Sequence, residues 1–214
     1  HLHDIKPAIL VVGGTFDTDD CYGALNTYKL IRHNSPETDL HFVYGPWTHG
    51  GWHESDYEGL GAIEFTKGLS ADFMTDIEYP FFRYYLEGKG KRPEPVYIAA
   101  SGSDEWQTMD VWPNKDLNYI SLYLNDGKSL SCEEETAENC VSSYASDPSA
   151  PVPFMKDASR RDKSYMVADQ SFASERADVI TFTGAPQEQV LKLQGPVKVD
   201  LNISISTDDA DVVV

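Results

Sequence analysis

Basic side chains are scarce in this chain. Seventeen Lys and Arg stand against 35 Asp and Glu among 214 residues, a formal net charge of −18. Nucleic-acid binding depends on a basic footprint that neutralises phosphates, so no nucleic-acid partner is expected. An acidic surface keeps a protein soluble, and it also draws cationic small molecules. Long apolar runs are missing too: no window approaches the roughly eighteen apolar residues of a membrane span, which argues against a membrane partner. Cysteine is rare, with Cys21, Cys132 and Cys140 making up the set, and neither Cys-x-x-Cys nor a zinc-type spacing occurs. Cys132 and Cys140 bracket a polar segment that a local disulfide would close in an oxidising compartment. A periplasmic or secreted location is expected on that basis, with the cytoplasm as the alternative. The chain opens His-Leu-His-Asp rather than with Met, and no charged leader with an apolar centre follows. The expectation is an internal fragment of a longer protein, with removal of a leader as the alternative.

What is present suffices for a packed core: 41% of residues are hydrophobic and 12% aromatic. Residues 6–14 read as a strand, Cys21 to about His33 as a helix started by Asp19 or Asp20, and Leu40–Tyr44 as a second strand. A glycine- and aromatic-rich loop follows at 50–59. Leu60–Leu86 has a helical apolar face that Pro80 should kink or split in two. Gly88 and Pro93-Glu-Pro95 then mark a boundary. Beyond it the texture changes to short alternating runs (Val96–Ala99, Tyr119–Leu124, Val179–Phe182, Val197–Ile205), the pattern of an antiparallel sandwich. Between them, 141–170 is a long polar connection of the kind that is functional or wraps a surface.

Two stretches organise the first part. Ile9-Leu-Val-Val-Gly-Gly-Thr-Phe-Asp17 and Val43-Tyr-Gly-Pro-Trp-Thr-His49 each read as a buried strand ending in glycine and then offering one ionisable side chain. Sites in open α/β sheets form at the carboxyl ends of the strands. An acid and then a histidine on successive strand ends is the order in which an α/β-hydrolase supplies its last two triad members. No Gly-x-Ser-x-Gly turn occurs in the sequence. The nucleophile is therefore expected upstream.

Several blocks, in order, resemble the CocE/NonD hydrolases, the family of α-amino-acid ester hydrolases, glutaryl-7-ACA acylases, cocaine esterase and X-Pro dipeptidyl peptidases. They are Gly14-Thr-Phe-Asp-Thr-Asp-Asp-Cys-Tyr-Gly-Ala24, Gly45-Pro-Trp-Thr-His-Gly50, Pro80-Phe-Phe-Arg-Tyr-Tyr-Leu86, and Trp106 with Trp112-Pro113. Asp147-Pro-Ser-Ala-Pro-Val-Pro153 and Arg176-Ala-Asp-Val-Ile-Thr-Phe-Thr183 with Gly195-Pro196 follow. The first block looks more like the amino-ester hydrolase and acylase branch. The resemblance implies an α/β fold class: the C-terminal part of an α/β-hydrolase domain over 1–93, then an incomplete antiparallel jelly-roll β-sandwich over 94–214. It implies that Asp17 is the triad acid and His49 the triad base. The oxyanion-hole tyrosines and the carboxylates that grip an α-amino group would lie upstream.

A serine hydroxyl needs a histidine to take its proton, and a buried acid holds that ring in the right tautomer. The expected activity is hydrolysis of a small ester or amide through an acyl-serine, with no cofactor, and with homo-oligomers in the full-length protein. Cocaine-esterase-like or X-Pro dipeptidyl peptidase activity is the alternative within the family. Asp20, Trp47 and Trp52 are candidate substrate-binding residues: Asp20 as an attraction for an ammonium group or a helix-start carboxylate, the tryptophans as pocket walls or core. A rival reading is a non-catalytic sandwich binding module. Another is a metal hydrolase using His49, His53 and a carboxylate, although the two glycines between those histidines make a poor helix. Asp208-Asp-Ala-Asp211 lacks the glycine and distal glutamate of a calcium loop. His1, His3, His33 and His41 have no partner legible in the sequence.

Overall fold

A computed structural model describes residues 1–54, 57–65, 68–101, 105–135, 141–159 and 162–214. Strand β1 (Ile9–Gly14) pairs in parallel with β2 (Leu40–Gly45), in register from Ile9 against Leu40 to Gly14 against Gly45; helix α1 (Cys21–Asn34) joins them. Parallel neighbours require such a crossover. Side chains alternate across the two faces of the sheet. Val11, Phe42 and Tyr44 meet Tyr28 and Ile31 of α1 on one face, and Tyr28 stacks on Phe42 with ring centroids 4.5 Å apart. Leu10, Val12 and Val43 belong to the cluster on the other face, built around Trp47 and Phe73. Each such buried side chain stabilises the fold by roughly 1.5–3 kcal/mol.

After β2 the chain makes a 3₁₀ turn at Gly51–His53, then a two-residue ladder of β3 (Gly59–Leu60) against β4 (Ile63–Glu64). The helix expected from Leu60 therefore starts later. Three glycines within ten residues, Gly59, Gly61 and Gly68, oppose helix there, and α2 (Leu69–Asp72) is the first helical turn. A π-helical segment at Phe73–Glu78 leads into α3 (Tyr79–Glu87). Pro80 does not break the rod. It sits in the first turn of α3, just past the wide turns in which Tyr79 N–H reaches back to the Met74 carbonyl. That wider ladder accommodates a residue with no N–H. Phe73, Ile77 and Phe81 face inward.

Val96–Ala99, expected at the front of a second domain, forms β5 and pairs in parallel with β2; β6 (Trp106–Met109) pairs antiparallel with β5. The main sheet thus has the order β1-β2-β5-β6 and runs past Pro95. The return of the chain from α3 to β5 is pinned by a polar knot. His41 is buried, with Nδ1 2.7 Å from the Glu94 carbonyl oxygen and Nε2 2.8 Å from the Tyr85 hydroxyl. Tyr85 donates to Asp39 at 2.5 Å and Arg92 to the same carboxylate at 2.6 Å. Burial pushes the Asp39 carboxyl up, but the Tyr85 and Arg92 hydrogen bonds, with the Arg92 and His41 charges, outweigh it and hold it below its ordinary value.

Beyond β6, regular structure thins out. β7 (Tyr123–Leu124), β8 (Ser129–Ser131), a four-residue helix α4 (Ser171–Ser174) and β9 (Thr183–Gly184) follow, with the three strands in one small sheet, β8 and β9 parallel. The expected strand Tyr119–Leu124 shrinks to its last two residues, and Val179–Phe182 forms no strand, β9 beginning just after it. Val197–Ile205 forms no strand: Val197, Val199, Leu201, Ile203 and Ile205 are exposed. Alternation supplies one apolar face, but a strand also needs a ladder partner and a surface to cover that face; among the described residues neither is present for this stretch. The architecture is one of mixed sheets with few helices, and no described helix is long and apolar enough to cross a membrane. Cys132 is exposed, and its expected partner Cys140 lies outside the described residues.

Candidate active site

The site lies at the carboxyl ends of β1 and β2, where the chain leaves each strand. Thr15 N–H donates to the Gly45 carbonyl at 2.8 Å and Phe16 N–H to the Trp47 carbonyl at 3.0 Å, so the two exits run against each other. This approach requires glycine at 14, since a Cβ there would collide with the Trp47 carbonyl oxygen. Asp17 follows, almost wholly buried at 3% exposure. Its Oδ1 accepts backbone N–H bonds from Asp19 and Asp20, each at 2.9 Å. The remaining capacity of the carboxylate faces His49, with Oδ2 3.0 Å and Oδ1 3.3 Å from Nδ1. A carboxylate only accepts, so Nδ1 carries the proton and Nε2 is the basic nitrogen. The ring is half-exposed, and no described residue hydrogen-bonds Nε2.

The loop bearing His49 is buckled from beneath. Tyr57 hydroxyl accepts from Thr48 N–H at 3.1 Å and donates to the Pro46 carbonyl at 3.2 Å. Burial pushes its phenol up. Ser70 Oγ accepts from Trp47 Nε1 at 2.8 Å and donates to the Gly51 carbonyl at 3.0 Å. Gly50 turns the chain at φ +79°, a left-handed conformation that glycine takes without strain.

The candidates fall apart into three groups. Asp17 and His49 are in contact. Trp52 stands beside them, its ring centroid 6.2 Å from that of His49. Trp47 does not wall a pocket: it is fully buried against Phe73 and Trp106, because its indole fills the core under the loop it belongs to. Asp20 occupies the N-cap position of α1 but makes no side-chain cap bond, and its carboxylate instead lies over Gly23. Asp19, read from the sequence with Asp20 as a helix-start carboxylate or an attraction for an ammonium group, is the one beside the pair: ligand atoms of Asp17, Asp19 and His49 lie within 4.8 Å of one another. The alternation of strand and turn gives no means to choose between adjacent aspartates. His53 Nε2 lies 3.2 Å from a Glu78 carboxylate oxygen, and among the described residues the cluster of possible ligands that holds His49 contains Asp17 and Asp19 but not His53. Tyr57 and Ser70 also escaped the sequence reading, since both act over distances in the chain that local pattern does not register.

The chain is 30% identical to an aminopeptidase from a marine sediment Thaumarchaeota archaeon, with a TM-score of 0.76 over 86% of this chain and 31% of that one. It is 30% identical to an α-amino acid ester hydrolase, with a TM-score of 0.72 over 83% and 31%. Proteins of Mycobacterium bovis and Mycobacterium tuberculosis that are named as serine esterases are each 25% identical over 207 residues, 94% of this chain and 31% of theirs. The chain therefore spans about a third of the length of these relatives. The CocE/NonD resemblance of its motifs holds. The profile of the X-Pro dipeptidyl-peptidase C-terminal non-catalytic domain matches residues 79–214, more than half of the sequence, and the chain belongs to that family.

Proposed function

We propose that this chain contributes the acid and base of a serine hydrolase whose nucleophile comes from outside these 214 residues. The observation that carries the reading is the Asp17–His49 contact at 3.0 Å, with the acid buried and the ring half-exposed. Both residues precede the stretch matched to a non-catalytic domain. In this mechanism a serine hydroxyl attacks the acyl carbon while His49 Nε2 takes its proton. Asp17 holds Nδ1–H and stabilises the imidazolium that forms. His49 then passes the proton to the leaving alcohol or amine, and water repeats the cycle on the acyl-serine. Trp52 lies where it can border the acyl group. The jelly-roll identity of the second half, the hydrolase identity of the first, export and self-association belong to the same proposal.

The relatives support a proposed substrate class. An aminopeptidase and an amino acid ester hydrolase both cleave at a carbonyl next to an amine-bearing carbon, which favours α-amino esters or amides, β-lactam side-chain amides included. Simple esters and X-Pro dipeptides are the second reading, favoured by the serine esterases and by the name of the matched family. The 214-residue chain alone is expected to be inactive. In the full-length protein, a fluorophosphonate probe should label one serine, and His49→Ala should lower that labelling rate and esterase kcat by about 10³-fold or more. Undiminished activity in that variant would sink the reading.

A further inference from the structure

The long polar connection comes back to the site. Lys163–Val167 is a 3₁₀ turn opened by Asp162, whose carboxylate accepts from Ser164 N–H at 2.7 Å. Val167 packs on the apolar cluster around Trp47 and Phe73. A Cβ on Gly61 would meet Val167 Cγ2 at 3.0 Å and Ser164 Cβ at 3.3 Å, so the turn sits closely on the β3–β4 hairpin. From that seat Lys163 Nζ donates to the His49 carbonyl oxygen at 3.2 Å, across 114 residues of chain, and lies 3.8 Å from a Glu54 carboxylate oxygen. Thr18 and Asp19 on one side, and Asp162 and Lys163 on the other, line a cavity of about 230 Å³ next to the Asp17–His49 pair.

We propose that Lys163 is a positioning residue for His49, and that the 162–167 turn walls the substrate cleft opposite Thr18 and Asp19. The inference rests on the acyl-transfer reading of Asp17 and His49. Asp17 holds one ring nitrogen but leaves the backbone of His49 free on its outer side, where Gly50 and Gly51 follow. Tyr57 and Ser70 secure the inner side of the loop. Lys163 closes the outer side. It comes from the stretch matched to a non-catalytic domain, so that half of the chain also shapes the site. An exposed Lys–Glu pair contributes little to global stability, whereas a displacement of about 1 Å at a reacting group costs up to roughly 100-fold in rate. The two effects are therefore separable.

The test compares Lys163→Met and Lys163→Arg in the full-length protein with p-nitrophenyl acetate. Lys163→Met should lower kcat about tenfold, with KM within about twofold and an unchanged thermal midpoint. Lys163→Arg, which keeps a donor, should recover kcat to within about threefold. Amide exchange at Gly51, His53 and Glu54, whose N–H groups bond within the loop, should quicken in the Met variant and not in the Arg variant. An unchanged kcat, a rise in KM alone, or an equal loss in both variants overturns the proposal. If the unmodified protein fails to take the fluorophosphonate, the acyl-transfer reading falls instead. Amide exchange then decides whether Lys163 holds the loop: faster exchange in the Met variant supports it, and unchanged exchange overturns it.

Discussion

Asp17 illustrates how much one buried carboxylate is asked to do. It satisfies two backbone N–H groups at the start of α1 and orients His49 with what is left. Asp17→Asn keeps an acceptor for the backbone but offers an amide where Nδ1–H needs an oxygen. We expect activity of the full-length protein to fall by about 10³-fold or more while the thermal midpoint moves little, measured by kcat and by thermal melting. Gly14→Ala should act differently. Its Cβ would displace the Trp47 carbonyl, so both stability and activity should drop together, checked by urea unfolding alongside the esterase assay.

At the scale of elements, the His49 loop after β2 is held by hydrogen bonds from Tyr57 and Ser70, and not through any preference of its own residues. Ser70→Ala would leave the buried Trp47 Nε1 without its acceptor and the Gly51 carbonyl with the Glu54 N–H as its remaining donor. A cost of about 1–3 kcal/mol is expected from urea denaturation, together with faster amide exchange at Gly51. The knot at Asp39 gives a pH signature. Its carboxyl is held below the ordinary value in the fold, so it contributes stability above the unfolded carboxyl pKa of about 3.9, lost as pH falls through the lower folded value. Asp39→Asn should lower the melting temperature at neutral pH and flatten its fall below about pH 4.

For the whole molecule, protection should be uneven. The β1-β2-β5 ladder is buried under helices on both faces, whereas the chain beyond Gly184 is without regular structure and, apart from the half-buried Gln194 and Gly195, exposed, with Val190 at 92% and Val197 at 87% exposure. Native-state amide exchange should be slowest at Val11, Phe42 and Val43 and near unfolded rates across 185–214. Limited proteolysis should likewise cut the latter first. Equal protection in both regions would contradict the architecture.

Much of the first sheet was legible because its signals are local. Ile9–Gly14 and Leu40–Gly45 are short apolar runs closed by glycine, Cys21–Asn34 repeats at helical period, and together these bring Asp17 and His49 to the same sheet edge. What the sequence could not decide depended on partners distant along the chain. Leu60–Leu86 has a helical apolar pattern, but Gly59, Gly61 and Gly68 hand its first part to a hairpin. Val96–Ala99 reads as a strand in any context, and only the tertiary structure places it beside β2. Trp47 is equally plausible as pocket wall or core until Ser70 and Phe73 surround it. His41 had no visible partner, yet Tyr85 and Glu94 close on it through the fold. Composition and periodicity record which face of a segment is apolar, whereas what covers that face is settled only when the chain returns to it.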